Sequence, residues 1–470
     1  MNALTLAEAA ALWRGVLAHT THTIEYVPPD KAWGRIAAAD ICAAHPYPPY
    51  RKSPFDGYAL CLNGKERSYE VVATIGAGER YDEPVLPGQA VRLMTGCAVP
   101  RGCQAVVMQE AVRRQGKRIE LTTIPLPEDN IIPIGEECLS GEVLLSQGTY
   151  LTGGAVSVAV AMGNTAIPVY KDVRVLLVTS GRELVMAGQE RQYGQIYNSN
   201  AYLFQLLLRD ERIRSVAFCH VSDAPERLAS EIERVRELAA DADLILSTGG
   251  VSVGLYDTMP QLFHHLGARE LYRRIAMRPG SASYGGLIER KGGNAVPVLG
   301  LSGNPSAAFN AFHLLAIPVL RQLRGEKHGD FPVVTCRLNG NLTKENPVDR
   351  FIQGHLSFVQ GQPVFTPNHV VTSSALLGLK AANALALRPK HSPPLTKGAE
   401  VPVLLLRPLR PHCSECPEPC YILKPAPKNP GAHILWLSLL HFQISFCFLE
   451  YCISSQFPIF GNINLLILLR

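Results

Sequence analysis

The chain has 470 residues, of which 47% are hydrophobic and 18% charged, and its formal net charge is +5. The length implies about three domains, and the composition excludes overall disorder. Only 7% of residues are aromatic and no long basic block occurs, so a nucleic-acid binder, which would carry a basic stripe interleaved with aromatics, is not expected.

In chain order, residues 1–17 read as an amphipathic helix that opens on Thr5-Leu-Ala-Glu8, a capping-box pattern. No basic stretch precedes an apolar core there, so a signal peptide is not expected. Seven cysteines scattered through 42–336 read as reduced, buried thiols. Four prolines between Pro46 and Pro54 mark a linker. Short alternating runs at 70–75, 90–94, 105–108 and 118–122, separated by Gly and Pro, predict a small all-β module over 55–130. A Gly- and Pro-rich return follows over 133–168, with a short helix at 155–162.

From 173 the pattern changes. Strands are predicted at 173–179, 215–220, 244–247 and 296–301, and helices at 200–209, 225–240, 257–266 and 305–324. That alternation predicts a mostly parallel sheet with helices on both faces. Short strands return over 331–407 as a second, smaller β module. Beyond it the chain changes character: from Gly431 on, the only charges are Glu450 and Arg470. The apolar run 434–449 is broken by Ser438, His441, Gln443 and Ser445, so a membrane span is not favoured. Cys413, Cys416 and Cys420 have a zinc-like start without a second ligand pair at finger distance, although Cys447 and Cys452 follow. The favoured reading is a tail foreign to a fold that ends near Arg407.

In an open α/β sheet, ligands bind beyond the carboxyl ends of the strands. Three Gly-rich loops stand there: Ser180-Gly181-Arg182-Glu183, Thr248-Gly249-Gly250-Val251-Ser252-Val253-Gly254, and Ser302-Gly303-Asn304-Pro305-Ser306. Such loops turn backbone N–H groups inward as a nest for an anion, helped by the helix that starts at Pro305. Three converging loops point to an anionic or phosphorylated ligand. No Walker-type Gly-Lys-Ser/Thr occurs, and Gly76-Ala-Gly78-Glu-Arg-Tyr81 fails the dinucleotide fingerprint. Gly250-Val-Ser252-Val-Gly254 mimics a nucleophile elbow, but Ser252 lies five residues past the strand end, where an elbow serine does not sit. Glu183 and Asp257 flank two of the loops, and carboxylates beside a phosphate site commonly hold Mg²⁺. For Asp257 a helix cap is an equal alternative, and Asp223 reads simply as an N-cap.

Residues 1–407 also carry an ordered set of motifs: Ser53-Pro-Phe-Asp56-Gly57-Tyr58-Ala59, Arg92-Leu-Met94-Thr95-Gly96, Ala105-Val-Val-Met-Gln109-Glu110, Gly194-Gln-Ile-Tyr-Asn198-Ser199-Asn200, Thr248 to Gly254 with Asp257, Met277-Arg278-Pro279-Gly280, and Gly300-Leu-Ser-Gly-Asn304-Pro305. In these the chain resembles the molybdopterin molybdenumtransferase family, the MoeA and gephyrin E-domain proteins. The resemblance implies an elongated cytoplasmic homodimer of four subdomains per chain: 1–50 with 131–170 as linker and dimerisation unit, 51–130 as a β module, 171–327 as the molybdopterin-binding α/β domain, and 328–408 as a C-terminal β module, with 409–470 outside the pattern. It implies Mg²⁺-dependent insertion of molybdate into adenylylated molybdopterin, with cleavage of the pyrophosphate and release of AMP. Partners would be a molybdopterin adenylyltransferase-type protein upstream and molybdoenzyme apoproteins downstream. Asp56, reaching the cleft from the other subunit, and Asp257 would serve catalysis and, with Glu183, the metal. Arg274 and Arg278 would clamp charge, and Thr95, Asn198, Ser199 and Asn200 would join the loops in binding substrate.

Four positions in three motifs depart from the family pattern. Arg182 stands where the family commonly has Asp, Glu137 stands where it has Asp, and Ser281-Ala282 replaces Lys-Pro after Arg278-Pro279-Gly280. These changes raise a second reading, a degenerate paralogue that binds molybdopterin or partner proteins as a scaffold.

Overall fold

The computed structural model describes residues 3–222, 224–251, 258–327, 329–344 and 346–407. The tail readings, Ser252, Gly254, Asp257 and Asp223 therefore lie outside the described residues.

The N-terminal helix Leu6–Val16 is capped as its sequence predicts: the Thr5 hydroxyl accepts from the Glu8 N–H, and the Glu8 carboxylate accepts from the Thr5 N–H at 2.7 Å. Its buried face reaches the α/β domain, where the Trp13 indole N–H donates to the Tyr272 hydroxyl at 3.1 Å. Short strands build the linker region: Ile24–Val27 pairs with Ile167–Tyr170, and Ile41–Cys42 with Val143–Leu145. The helix Gly153–Ala161 is capped by Thr152 and leaves Val158 and Val160 exposed.

Six strands between Gly57 and Leu121 form one sheet, in the order Ala105–Met108, Gly57–Leu60, Gln89–Leu93, Ser68–Ile75, Arg118–Leu121, Val112–Gln115. Period-2 alternation divides its core. Ala59, Val91, Leu93 and Val106 pack in one cluster, while Tyr58, Leu60, Ala90 and Val107 pack in another. Gly57 is needed because a Cβ there would lie 2.1 Å from the Val107 carbonyl oxygen. Six of the seven cysteines between 42 and 336 are buried free thiols, and burial pushes that of Cys103 up to about 12. Cys42 is exposed, against expectation, because its two-residue strand lies at an edge.

The α/β domain holds a six-stranded sheet in the order Ser215–Val221, Arg174–Ser180, Leu244–Thr248, Val296–Leu301, Ala282–Ile288, Ala268–Arg274. The first four strands are mutually parallel and the last two pair antiparallel. The four parallel strands are those expected, and an antiparallel pair that the alternation did not predict extends one edge, so the sheet is mixed. The two missed strands carry weak signals, since Ala268–Arg274 is half charged and Ala282–Ile288 contains Gly285-Gly286. Burial on both faces follows the strand period: Val175, Leu177, Leu244 and Leu246 face the helices Ser199–Asp210 and Pro305–Ala311, whereas Leu176, Val178 and Ile245 face Leu228–Ala239 and Met259–His265. The helix foreseen over 305–324 is interrupted by a π segment, Phe312–Ala316, where the buried His313 Nδ1–H donates to the Phe309 carbonyl at 2.8 Å.

The C-terminal strands close into a barrel. Asp349–Val359 pairs with Gln362–Pro367, then Val333–Leu338, Glu400–Leu405 and Ala384–Arg388 follow in turn, and the last pairs back onto the first. Met277–Arg278 of the α/β domain adds alongside Asp349–Arg350. No helix among the described residues is long and apolar enough to cross a membrane.

Candidate functional site

The carboxyl ends of the parallel strands bring the three Gly-rich loops into contact. Gly249 holds φ +92°, and a Cβ on it would sit 2.3 Å from the Ser180 carbonyl oxygen, so only glycine lets the second loop pass over the first. Gly303 of the third loop lies against the Gly249 Cα, and the Gly249 N–H donates to the Leu301 carbonyl at 3.1 Å. The sequence places glycines in these loops; the strand order brings them together, because the loops after 174–180 and 244–248 leave neighbouring strands.

Polar side chains lock this arrangement. The Asn200 amide donates to the Thr248 hydroxyl and to the Gly303 carbonyl, both at 2.9 Å, and the Thr248 hydroxyl donates to the Ser302 carbonyl at 2.9 Å. Asn198 caps the helix Ser199–Asp210 by accepting from the Ala201 N–H at 3.2 Å, and its amide donates to the Thr179 hydroxyl at 2.8 Å. Asn198, Ser199 and Asn200 are thereby placed beside Ser180, Thr248, Gly249 and Gly303. Ser306 turns away: its hydroxyl bonds the Gln353 side chain at 3.1 Å, in a buried network with Asn310 that ties the helix to the barrel. Asn304 and Pro305 begin that helix.

Within this cradle the Ser180 hydroxyl and the Asn200 side-chain oxygen are buried without a hydrogen-bond partner among the described residues. Each such group costs about 1–3 kcal/mol if it stays unpaired. A polar ligand entering the cradle satisfies them: Ser180 can donate to an anion, and Asn200 can accept from an N–H or hydroxyl. Another polar cavity, of about 190 Å³, lies beside Lys171, Arg174 and Asn294 and shares no residue with the three loops.

The predicted cations divide. Arg274 ends an edge strand, exposed, and its carbonyl accepts from the Leu4 N–H at 3.1 Å. Arg278 lies in register with Arg350 of the barrel, and neither has a carboxylate partner among the described residues. Burial, then Arg388 and Arg278, hold the Arg350 guanidinium below its ordinary pKa. Arg388 is itself buried and donates to four carbonyls, those of Leu342, Lys344, Ser392 and Pro393. The turn after Arg278 abuts the helix Pro305–Ala311, since a Cβ on Gly280 would lie 3.1 Å from the Ala307 carbonyl. The sequence gives no sign of Arg350; its place beside Arg278 comes only from the pairing of two domains.

Asp56 stands apart from the cradle. Its Oδ1 accepts from both the N–H and the hydroxyl of Thr95, each at 2.7 Å, and these bonds, with a smaller contribution from Arg92, hold its carboxyl below the usual range. Oδ2 has no partner among the described residues. No hydrogen bond or ion pair among those residues joins Asp56 to the three loops of its own chain. Glu183 lies under Gly181, within 2.7 Å of where a Cβ on that glycine would sit. Among the described residues, no three His, Cys, Asp or Glu side chains gather as a metal site. The described residues therefore do not by themselves assemble a Mg²⁺ shell.

The comparisons with known proteins follow this division of the chain. Residues 4–163 match the MoeA N-terminal region (domain I and II), 177–322 a probable molybdopterin binding domain, and 335–406 the MoeA C-terminal region (domain IV). The molybdopterin molybdenumtransferase of Bacillus subtilis (strain 168) is 32% identical over 394 residues, covering 82% of this chain and 90% of that protein. That of Staphylococcus epidermidis (strain ATCC 12228) is 30% identical over 383 residues, covering 80% of this chain and 90% of the relative. The crystal structure of the molybdopterin biosynthesis MoeA protein from Pyrococcus horikoshii OT3 superposes with a TM-score of 0.69 at 25% identity, over 86% of this chain and 100% of that one. With every region matched in order and identity sustained across the fold, the chain belongs to the molybdopterin molybdenumtransferase family of molybdenum cofactor biosynthesis.

Proposed function

We propose that the cradle binds adenylylated molybdopterin and that the chain inserts molybdate into it, cleaving the phosphoanhydride so that AMP leaves and molybdenum stays on the dithiolene sulfurs. The observation that carries this reading is the meeting of three glycine loops around the unpaired Ser180 and Asn200 groups. Loop amides and Ser180 hold phosphate oxygens, while Asn200 fixes orientation by accepting from the substrate. Arg278 and Arg350 offer two unneutralised guanidinium groups to an oxyanion, molybdate or the leaving phosphate, whose charge grows as the anhydride breaks. They make up for the lysine that Ser281 replaces. Mg²⁺, when bound, would neutralise phosphate charge, with Asp257 and Glu183 as its nearest candidate ligands in sequence.

Asp56 is held at Thr95, and among the described residues makes no bond to the loops of its own chain; it is read here as serving the other chain of a homodimer. The exposed apolar side chains Ile24, Tyr26, Val158 and Val160 of the linker region give such a dimer a surface to bury. The substrate would come from an adenylyltransferase-type protein and the product pass to molybdoenzyme apoproteins. The test is AMP release from adenylylated molybdopterin by the full chain, with Mg²⁺ and with or without molybdate. Molybdate-dependent release is the expected outcome. Binding without release, unrescued by Ser281→Lys, would instead make the chain a scaffold.

A further inference from the structure

His220 is the penultimate residue of the edge strand Ser215–Val221, next to the first glycine loop, and nothing in the proposed chemistry uses it. It lies in register with Thr179, the last residue before Ser180, and its Nδ1 is 3.1 Å from the Thr179 hydroxyl. The Gly181 N–H donates to the neighbouring Val221 carbonyl at 3.3 Å, so this edge strand supports the loop directly.

Hydrogen-bond direction along this chain of groups is fixed from its inner end. The Asn198 oxygen is committed to the Ala201 N–H of the helix cap, so the face of Asn198 toward Thr179 is its NH₂, and Thr179 accepts. Thr179 is fully buried, and its own hydroxyl proton requires an acceptor. His220 Nδ1 stands in that position, so it carries no proton and the ring is the neutral Nε2–H tautomer. The chain then runs from Asn198 through Thr179 to His220. At its inner end it sets the cap of the helix that presents Asn200 to Thr248 and Gly303.

We propose that His220 is a positioning residue for the anion-binding cradle: as terminal acceptor for Thr179, it fixes the first loop and the Asn198–Asn200 segment in their ligand-binding geometry. This rests on the cradle being the substrate site. The groups facing His220 are Glu231 and Arg234 of the helix Leu228–Ala239, Glu183 of the loop and Thr179 of the adjacent strand. Burial, helped slightly by Arg234, outweighs the Thr179 backbone and the two carboxylates and lowers the His220 pKa. A proton on Nδ1 would oppose the Thr179 hydroxyl donor to donor, so acid weakens the support that neutral His220 gives.

The test uses the full chain with AMP and inorganic pyrophosphate as probes, by calorimetry. His220→Leu should weaken binding of whichever probe the wild type binds by about tenfold at pH 7.5, the equivalent of one buried hydrogen bond. His220→Gln, which keeps an acceptor, should bind within about threefold of wild type. Thr179→Val, which also removes the bond from Asn198, should weaken binding at least as much as His220→Leu, and the double variant should be no weaker than Thr179→Val alone, because His220 acts only through Thr179. Wild-type affinity in His220→Leu, or full additivity in the double variant, would overturn the proposal. If the wild type binds neither probe, the cradle reading fails first, and the tautomer still decides the bond: ¹⁵N shifts, assigned by difference from His220→Gln, should show Nε2–H, and Nδ1–H would refute it.

Discussion

The glycine cradle and the Asp56 corner are built in opposite ways. The cradle is made by three loops, two asparagines and a helix cap, each leaning on the next through bonds of 2.8–3.2 Å. The corner is one carboxylate held by one threonine. A cradle built from many mutual contacts transmits any local change to the whole binding surface. The Asp56 carboxylate keeps an oxygen free and little behind it to disturb, so its replacement should touch chemistry and leave folding alone.

Asp56→Asn gives the sharpest test of that contrast. It keeps one oxygen to accept from Thr95 and removes the charge, so turnover should fall about a hundredfold or more while AMP affinity and melting temperature stay as in wild type. A parallel loss of AMP affinity would mean that Asp56 belongs to the binding surface and that the two regions are not separate in role. Gly249→Ala is the converse. Its Cβ would meet the Ser180 carbonyl oxygen at 2.3 Å, on a backbone with φ +92°. A destabilisation of about 2–4 kcal/mol is expected, together with loss of AMP binding, both readable by thermal denaturation and calorimetry. An unchanged melting temperature would show the loops to be less mutually braced than their contacts indicate.

The same contrast explains what the sequence made legible. The loops could be read because a strand followed by glycines has a local signature, and the strands at 173–179, 215–220, 244–247 and 296–301 were foreseen within a residue or two of their observed ends. Asn198 and Asn200 were legible only through resemblance, since an asparagine at a helix start reads first as a cap, and Asn198 is indeed one. Arg350 and His220 were not legible. Each acquires its place from a register between strands distant in sequence, Met277–Arg278 beside Asp349–Arg350 and Thr179 beside His220, and no local pattern encodes that pairing. The antiparallel hairpin at the sheet's far edge was missed for a different reason: charge and paired glycines blur its period-2 alternation.

Acid should separate the two regions. His313, on the helical stretch that begins at Pro305, is fully buried, and burial lowers its pKa to about 3. The folded form keeps it neutral while the unfolded chain takes up a proton near pH 6.5. Stability from this group is therefore whole above that value and falls as the pH drops from about 6.5 toward 3, by about 2 kcal/mol at pH 5. Denaturant titrations at pH 7.5 and 5 should show that loss, and His313→Gln should reduce it. Asp56 behaves in the opposite sense. Its folded pKa is depressed, so its bonds to Thr95 are present above the carboxylate's ordinary pKa of 3.8 and weaken only as pH falls below it. The cradle's domain should thus loosen at a pH where the corner is intact.

Thr95→Val is the finest of these tests, because it removes one of two bonds to a single oxygen. The Thr95 N–H still donates to Asp56 Oδ1, so the carboxylate keeps its place while its pKa moves back toward the ordinary value. The expected cost is about threefold to tenfold in turnover, the range of one exposed bond to a charged group, with AMP affinity unchanged. Thr95→Ser, which keeps the hydroxyl, should restore most of it. If valine cost as much as Asp56→Asn, the hydroxyl rather than the carboxylate would be the group that meets substrate, and the corner's simplicity would lie in Thr95 using Asp56 as its anchor.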